Sequence, residues 1–242
     1  MKFGLIGKNI SYSFSKKYFE EKFVNLGLAH SHSYDIFDIQ NIEDIHQILK
    51  NLEIKGLNVT IPYKENIIKF LDEISDEAKN IGAINTIKIL SNGKKKGFNT
   101  DAFGFEKTLL SNIEKEHKSA IILGNGGAAK AVKYILKKHN IPYISVYRKS
   151  DLNFENITKE IVKKHEIIIQ TTPVGTFPDI RNYPKFPFDG ISDKNLIIDL
   201  IYNPECTKFM KKALERGSKV VNGYLMLKYQ AEKAWEIWNL DE

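Results

Sequence analysis

Ala120-Ile121-Ile122-Leu123-Gly124-Asn125-Gly126-Gly127-Ala128-Ala129 joins a short apolar run to a glycine-rich turn and the start of a helix-length segment. The four apolar residues read as a buried strand, and Gly126 to His139 reads as the helix that follows. A Gly-x-Gly-x-x-Ala order is weak on its own. Between a strand and a helix it points to a dinucleotide-binding turn. Gly124 permits the tight turn, Gly126 lets the backbone approach a pyrophosphate, and Ala129 allows the helix to lie close on the strand. Gly127 and Ala128 belong to the first helical turn, whose unpaired amides and positive dipole end suit a phosphate.

Outward from this unit, apolar runs alternate with amphipathic segments, which predicts an α/β architecture with a mainly parallel sheet. The strand-like runs are Phe3 to Ile6, Ser33 to Ile39, Gly56 to Thr60, Ala83 to Ile89, Ala120 to Leu123, Ile144 to Tyr147, Glu166 to Gln170, Leu196 to Leu200 and Lys219 to Val221. Helical segments are expected over Ser15 to Leu26, Ile42 to Leu52, Gly126 to His139, Pro204 to Arg216 and Tyr224 to Trp238. The fourth is read with proline in its first turn and Gly217 as its stop. Asp76 reads as a helix-start residue, and Met226 and Trp235 read as core by their helical spacing. A domain boundary is expected between Asp101 and Gly104. The division is therefore residues 1–101 with 223–242 as one domain and 102–222 as a Rossmann-like nucleotide domain, with a cleft between them.

The chain has 242 residues, 42% of them hydrophobic, and a net charge of +6. Its length suits one large domain or two small ones. No apolar run approaches the roughly 18 residues a membrane helix needs, and the short apolar start reads as a strand rather than a signal peptide. Cys206 is the only cysteine, so an internal disulfide and a cysteine-based metal site are excluded. The histidines show no metal spacing, and His30-Ser31-His32 reads as loop surface. The simplest localisation is cytoplasmic. Lysine runs such as Lys94-Lys95-Lys96 read as solvated surface, and the basic balance also favours anionic small molecules. No nucleic-acid motif accompanies the charge, and neither a nucleic acid nor a membrane is expected as a partner.

Two polar clusters precede the glycine turn. Gly56-Leu57-Asn58-Val59-Thr60-Ile61-Pro62-Tyr63-Lys64 closes a strand with amide, hydroxyl and ammonium groups, and Gly97-Phe98-Asn99-Thr100-Asp101 supplies a carboxylate. Lysine, carboxylate and dinucleotide turn together suggest hydride transfer to or from a small hydroxylated substrate. Ketone reduction places negative charge on an oxygen, which an ammonium stabilises and protonates, and a carboxylate orients the ammonium. After the second nucleotide strand, Tyr147-Arg148-Lys149 replaces the acidic residue that reads the ribose hydroxyls of NAD. Arg148 suits a 2′-phosphate with its planar fork and Lys149 adds charge, so NADP is the expected cofactor.

The chain resembles the shikimate dehydrogenase family almost end to end. The residues that carry this are Ser11-Tyr12-Ser13-Phe14-Ser15, Asn58 to Lys64, Gly82-Ala83-Ile84-Asn85-Thr86, Asn99-Thr100-Asp101, Thr171-Thr172-Pro173-Val174-Gly175, Asp199-Leu200-Ile201-Tyr202-Asn203-Pro204, and Gly223-Tyr224-Leu225-Met226-Leu227 with Gln230. The resemblance implies reversible reduction of 3-dehydroshikimate to shikimate with NADPH. It implies that Ser13 and Ser15 bind the substrate carboxylate and that Asn58, Thr60, Asn85, Asp101 and Gln230 hold ring hydroxyls. Lys64 and Asp101 would form the catalytic pair, with Tyr202 near the substrate. Gly223 and Met226 would lie near the nicotinamide, and cofactor contacts would come from Gly124 to Ala128, Arg148, Lys149 and Thr171. A small-molecule substrate, a monomer or homodimer and no metal complete the expectation.

Simpler readings stand beside these. Ser13 and Ser15 also suit helix caps, and Asn58, Thr60, Asn99 and Asp101 suit turns. The chain departs from the family pattern at Asn125, where alanine is common, at Tyr147 and Lys149, which flank the kept Arg148, and at Gln170. A quinate/shikimate dehydrogenase using NAD and a non-catalytic nucleotide-sensing protein on the same fold are the competing functions.

Overall fold

The computed structural model describes residues 1–10 and 13–240; Ser11 and Tyr12 of the serine block and the last two residues of the chain lie outside the described residues. The chain forms two compact units, Met1–Thr100 joined by the residues from Ala231 onward, and Asp101–Gln230. The first half of the chain carries β1 (Lys2–Gly7), α1 (Phe14–Asn25), β2 (Ser33–Asp38), α2 (Ile45–Ile48), β3 (Ile54–Val59), β4 (Glu73–Ile74), α3 (Asp76–Ile81), β5 (Thr86–Ile89) and β6 (Lys95–Phe98). The second carries α4 (Asp101–Leu110), β7 (Ala120–Leu123), α5 (Gly127–Lys138), β8 (Tyr143–Val146), α6 (Lys159–Val162), β9 (Ile167–Gln170), β10 (Leu196–Asp199), α7 (Lys208–Leu214), β11 (Lys219–Val221) and α8 (Tyr224–Asn239).

The first unit is built on a sheet of order β2-β1-β3-β5-β6-β4. It is parallel across β2, β1 and β3, antiparallel across β3, β5 and β6, and parallel again between β6 and β4. This sheet is therefore mixed, with β5 the one strand running against its neighbours. A short hairpin sets β6 antiparallel to β5: Leu90 N–H donates to Lys94 O at 2.8 Å, with Gly93 at φ +81° in the turn. The second strand of that hairpin, Lys95-Lys96-Gly97-Phe98, begins in the Lys94-Lys95-Lys96 run that reads in sequence as solvated surface.

Strand alternation sorts the side chains onto two cores. Ile6, Leu57, Val59 and Ile87 face a cluster with Ile42, Ile45, Ile67, Ala78 and Ile84. Phe3, Leu5 and Tyr34 face Phe19 and Phe23 of α1 and Ala231, Ala234 and Trp238 of α8. Gly56 lies beneath Trp238, where any Cβ would collide with the indole, whose N–H donates to Ile87 O at 3.0 Å. His32 stacks on Phe3 with ring centroids 5.9 Å apart, so it is partly packed rather than loop surface.

Two helices differ from expectation. Ile42 to Leu52 breaks into a 3-10 turn, Ile42–Asp44, and the short α2. The Asn51 side chain accepts from Glu53 N–H at 3.0 Å and turns the chain into β3 before a second helical turn can add. The predicted Pro204 start is also displaced: Thr207 caps α7 by accepting from Met210 N–H at 3.1 Å, and Pro204 stays in the preceding loop. Ser75 caps α3, with Asp76 as its first residue.

The second unit holds a five-stranded, all-parallel sheet of order β11-β10-β9-β7-β8. Read from β8, this is the 2-1-3-4-5 order of a doubly wound sheet, whose switch point lies between β7 and β9. β7, β9 and β10 are buried at every residue, as strands covered on both faces must be. Ile121, Leu123, Val146, Ile168 and Ile197 pack with Val162, Phe186, Phe209 and Ala213 on one face.

Candidate active site

In the first unit the polar residues gather at the ends of β3 and β5. Asn58 and Thr86 are directly paired across these antiparallel strands. The Asn58 amide donates to Thr86 Oγ1 at 3.2 Å and to Asn85 O at 3.3 Å, and its Oδ1 accepts from Tyr34 Oη at 2.8 Å. Asn85 Oδ1 accepts the Thr100 N–H at 2.7 Å, and its Nδ2 donates to Thr100 Oγ1 at 3.0 Å. Thr86 Oγ1 lies 3.2 Å from Thr100 Oγ1. All of these groups are at least 96% buried. Polar groups this deep persist only when bonded, so the network fixes Thr100 and with it the chain entering Asp101.

Tyr34 is the member that carries no signal in sequence. Burial pushes its phenol well above the ordinary value, with the Ser15 side chain pulling the other way. Ser13 caps α1, its Oγ accepting from Ser15 N–H at 3.3 Å. Ser13 thus fulfils the capping reading, and Ser15 is turned inward, 8% exposed.

Beyond β3 the chain is pinned on both sides of Lys64. Thr60 N–H donates to Ile6 O at 2.8 Å and Tyr63 N–H to Thr60 O at 2.9 Å. The buried Tyr63 hydroxyl donates to Ile39 O at 2.8 Å, and Ile84 N–H donates to Lys64 O at 2.7 Å. The backbone at Lys64 is therefore fixed while its side chain is only half-buried. Asn99 does not project as a turn former; it is buried and its amide donates to Ala83 O at 2.8 Å.

In the second unit Asp101 opens α4 and is 5% exposed. Gly104, one turn on, meets Met226 O and the backbone of Gln230, so α4 and α8 approach at a point where no side chain intervenes. Asp101 and Gln230 thus lie on neighbouring helices, with Met226 and Gln230 both buried.

The glycine turn sits at the switch point. Gly124 has φ +119°, and a Cβ there would collide with Thr171 Oγ1. That hydroxyl donates to Leu123 O at 2.8 Å and ties the ends of β7 and β9 together. Gly126 is the N-cap of α5 without a side-chain cap bond, and a Cβ built there meets nothing within 4 Å. Asn125 and Gly126 are exposed, Gly127 and Ala128 half-buried, and Arg148 and Lys149 exposed just beyond β8. Open amides, no side chain at Gly124, Gly126 and Gly127, and two cations after the next strand suit a phosphorylated dinucleotide.

Gln170, fully buried, holds the loop after β9. Its amide donates to Thr172 O at 3.1 Å and Val174 O at 3.3 Å, and its Oε1 accepts Thr172 N–H at 2.6 Å. Asp199, also fully buried, holds the loop that carries Tyr202. One carboxylate oxygen accepts from Ile201 N–H at 3.0 Å and the other from Thr207 Oγ1 at 2.6 Å. Burial raises this carboxyl to about 6, against the pull of those two donors. Gly223 closes the same corner: its N–H donates to Ile201 O at 3.0 Å, and a Cβ would collide with Leu200 O. Thr86, Thr100 and Asp199 stood inside motifs quoted from the sequence, but only the fold shows which partners they hold.

Residues 5–87 match the family described as shikimate dehydrogenase substrate binding domain. A shikimate dehydrogenase (NADP(+)) from Clostridium beijerinckii is 41% identical over 249 residues, covering 98% of this chain and 91% of that protein. One from Methanococcus maripaludis is 38% identical over 257 residues, covering 97% and 90%. Among solved structures, the shikimate 5-dehydrogenase of Thermus thermophilus in complex with NADP(H) and shikimate superposes with a TM-score of 0.87 at 28% identity, covering 99% of this chain and 93% of that one.

Proposed function

This chain belongs to the shikimate dehydrogenase family, and on that premise we propose that it catalyses the reversible NADPH-dependent reduction of 3-dehydroshikimate to shikimate on the route to aromatic amino acids. The observation that carries the reading within the structure is the buried Tyr34–Asn58–Thr86–Asn85–Thr100 network running up to Asp101. A chain does not bury so many hydrogen-bonding groups at strand ends without a polar ligand to recognise or a geometry to keep.

NADPH supplies the hydride, and the residues suited to hold it are Gly124, Asn125, Gly126, Gly127, Ala128, Arg148, Lys149 and Thr171, with Gly223 and Met226 toward the nicotinamide end. As the carbonyl carbon gains the hydride, its oxygen gains negative charge. The Lys64 ammonium stabilises that charge and gives up one proton to the oxygen, which becomes the new hydroxyl. Asp101 orients the lysine, and water restores its proton. Such general acid catalysis contributes roughly 100- to 10,000-fold.

Ser13 and Ser15 receive the substrate carboxylate. Thr60, Asn85, Asp101 and Gln230 hold ring hydroxyls, and Tyr202 flanks the ring. Both Asn58 amide protons already have protein partners, so Asn58 meets the substrate as an acceptor through the second lone pair of its Oδ1. The cytoplasm is the location proposed, as a lone cysteine suits a reducing compartment; among the described residues no helix is long and apolar enough to cross a membrane.

The test is reduced-nicotinamide absorbance with shikimate and NADP+, repeated with NAD+ and with quinate. Lys64→Ala should lower kcat at least 100-fold while the binding constant for shikimate moves by less than about fivefold. Wild-type activity in that variant removes the lysine from the mechanism, and equal rates with NAD+ or quinate move the chain to the broader quinate/shikimate class.

A further inference from the structure

We infer that Lys133 is a cofactor-specificity residue: held by Asn125 and Tyr147, its ammonium joins Arg148 in receiving the 2′-phosphate of NADP. This rests on the cofactor reading above and adds a residue to it.

Lys133 lies in the second turn of α5, and side chains on a helix lean toward its N-terminus. Its Nζ reaches back to donate to Asn125 Oδ1 at 2.6 Å, inside the glycine turn. The same atom lies 5.8 Å from the centroid of the Tyr147 ring. β7 and β8 are adjacent and parallel, with Leu123 beside Val146 and Gly124 N–H donating to Val146 O at 2.9 Å. The ammonium is therefore fixed at two points. One is on the turn suited to the pyrophosphate. The other immediately follows the second strand, where doubly wound proteins read the ribose 2′ position.

The charge there is held without being cancelled. Its two partners are a neutral amide oxygen and an aromatic face, whose quadrupole attracts a cation without neutralising it. Lys130 and Lys137 lie three residues before and four after it, on the same helix face. The ammonium is held below its ordinary pKa, first by burial and then by those two lysines. A half-buried cation repelled by its own helix costs stability unless something anionic relieves it. Arg148 and Lys149 follow Tyr147 directly and are exposed, so this end of the sheet concentrates positive potential where a phosphomonoester would meet it.

The arrangement also joins two features that the sequence left separate. Asn125 and Tyr147 are two of the positions at which this chain departs from the pattern of the family it resembles. Both meet the same Lys133 ammonium, so they form one device rather than two unrelated substitutions. Tyr147 gives the cation a face to lie over, and Asn125 sets its height.

The experiment is calorimetric titration of the full chain with adenosine 2′,5′-bisphosphate and with ADP, in wild type, Lys133→Met, Lys133→Arg and Lys137→Met. Loss of one charge-assisted hydrogen bond at a half-exposed site should weaken the bisphosphate roughly tenfold in Lys133→Met and ADP by less than about twofold. Lys133→Arg should keep the preference for the bisphosphate, and Lys137→Met should change either ligand by less than about twofold. Wild-type affinities in Lys133→Met, or an equal loss for both ligands or in Lys137→Met, would overturn the role of Lys133. If wild type itself does not prefer the bisphosphate, the NADP reading falls with it. If wild type prefers it and Lys133→Met does too, the NADP reading stands and the inference alone fails.

Discussion

Replacing Asp199 by asparagine should change how the second unit responds to pH. The carboxyl is fully buried at the end of β10, and burial raises it to about 6 from an ordinary 3.8. A group whose folded pKa lies above its unfolded one holds an extra proton in the native state between those values. Stability is then highest below about 4 and falls as pH rises toward 6, after which it is flat. At about 1.4 kcal/mol per pH unit, the interval amounts to about 3 kcal/mol, most of it between pH 4 and pH 7. The D199N side chain does not titrate: its amide oxygen still accepts from Ile201 N–H and its amide nitrogen faces Thr207 Oγ1. The variant should therefore match or trail wild type at pH 4 and gain on it by about 2 kcal/mol at pH 7. Other carboxylates titrate in both proteins and cancel in the difference.

The choice of probe matters. Trp235 and Trp238 both belong to the last helix beyond Ala231, in the first unit, so tryptophan fluorescence reports the wrong part of the molecule. Urea unfolding followed by hydrogen exchange on the β9 and β10 amides reads the second unit directly. A gap between variant and wild type that stays constant from pH 4 to pH 7 would sink the argument. So would a gap that moves in favour of wild type as pH rises.

Two further outcomes are expected. Tyr34→Phe removes the donor to Asn58 Oδ1 without leaving a void; steady-state kinetics should show KM for shikimate raised roughly threefold to tenfold with kcat within about twofold, and rates equal to wild type at low shikimate would show that the phenol does not position Asn58. Gly124→Ala places a methyl against Thr171 Oγ1 at a φ of +119°; thermal unfolding and NADP+ titration should show a loss of roughly 1–3 kcal/mol in stability together with weakened binding, and an unchanged melting point with unchanged affinity would mean that the turn tolerates a side chain.

The second unit was the more legible half of the chain. Its strands are short, mostly apolar and separated by helical or loop segments, and a parallel sheet buried on both faces leaves that pattern, with the polar Gln170 and Asp199 confined to strand ends. The first unit was harder. Lys95 to Phe98 form a strand although the run is basic, since sheet pairing needs backbone groups while the lysine heads reach solvent. α4 went unread because its opening residue belongs to the Asn99-Thr100-Asp101 cluster, which looks like a turn. Pro204 looked like a helix start because proline is common there, but Thr207 caps the helix and the Asp199 carboxylate binds that cap. The candidate site residues can be named from the sequence as types in order. Their partners cannot, since Tyr34 meets Asn58 and Lys133 meets Tyr147 only through strand register and helix phase.

The two units present their candidate residues by opposite means, and this sets which substitutions each can bear. In the first unit, the candidate site residues are side chains whose hydrogen bonds are largely committed to one another: Asn58, Asn85, Thr86 and Thr100 share donors and acceptors. A change at one leaves a buried partner unsatisfied, so even Asn→Asp or Thr→Val propagates along the network. In the second, close backbone approach governs, and what matters is the lack of a side chain at Gly124, Gly104 and Gly223, where a Cβ would meet Thr171, Met226 and Leu200. There the tolerated residue is fixed by space, while the neighbouring charges are free to differ. Variation in cofactor preference is therefore expected at Asn125, Lys133, Tyr147 and Lys149, which sit on the rim of that backbone frame, and not at the glycines that form it.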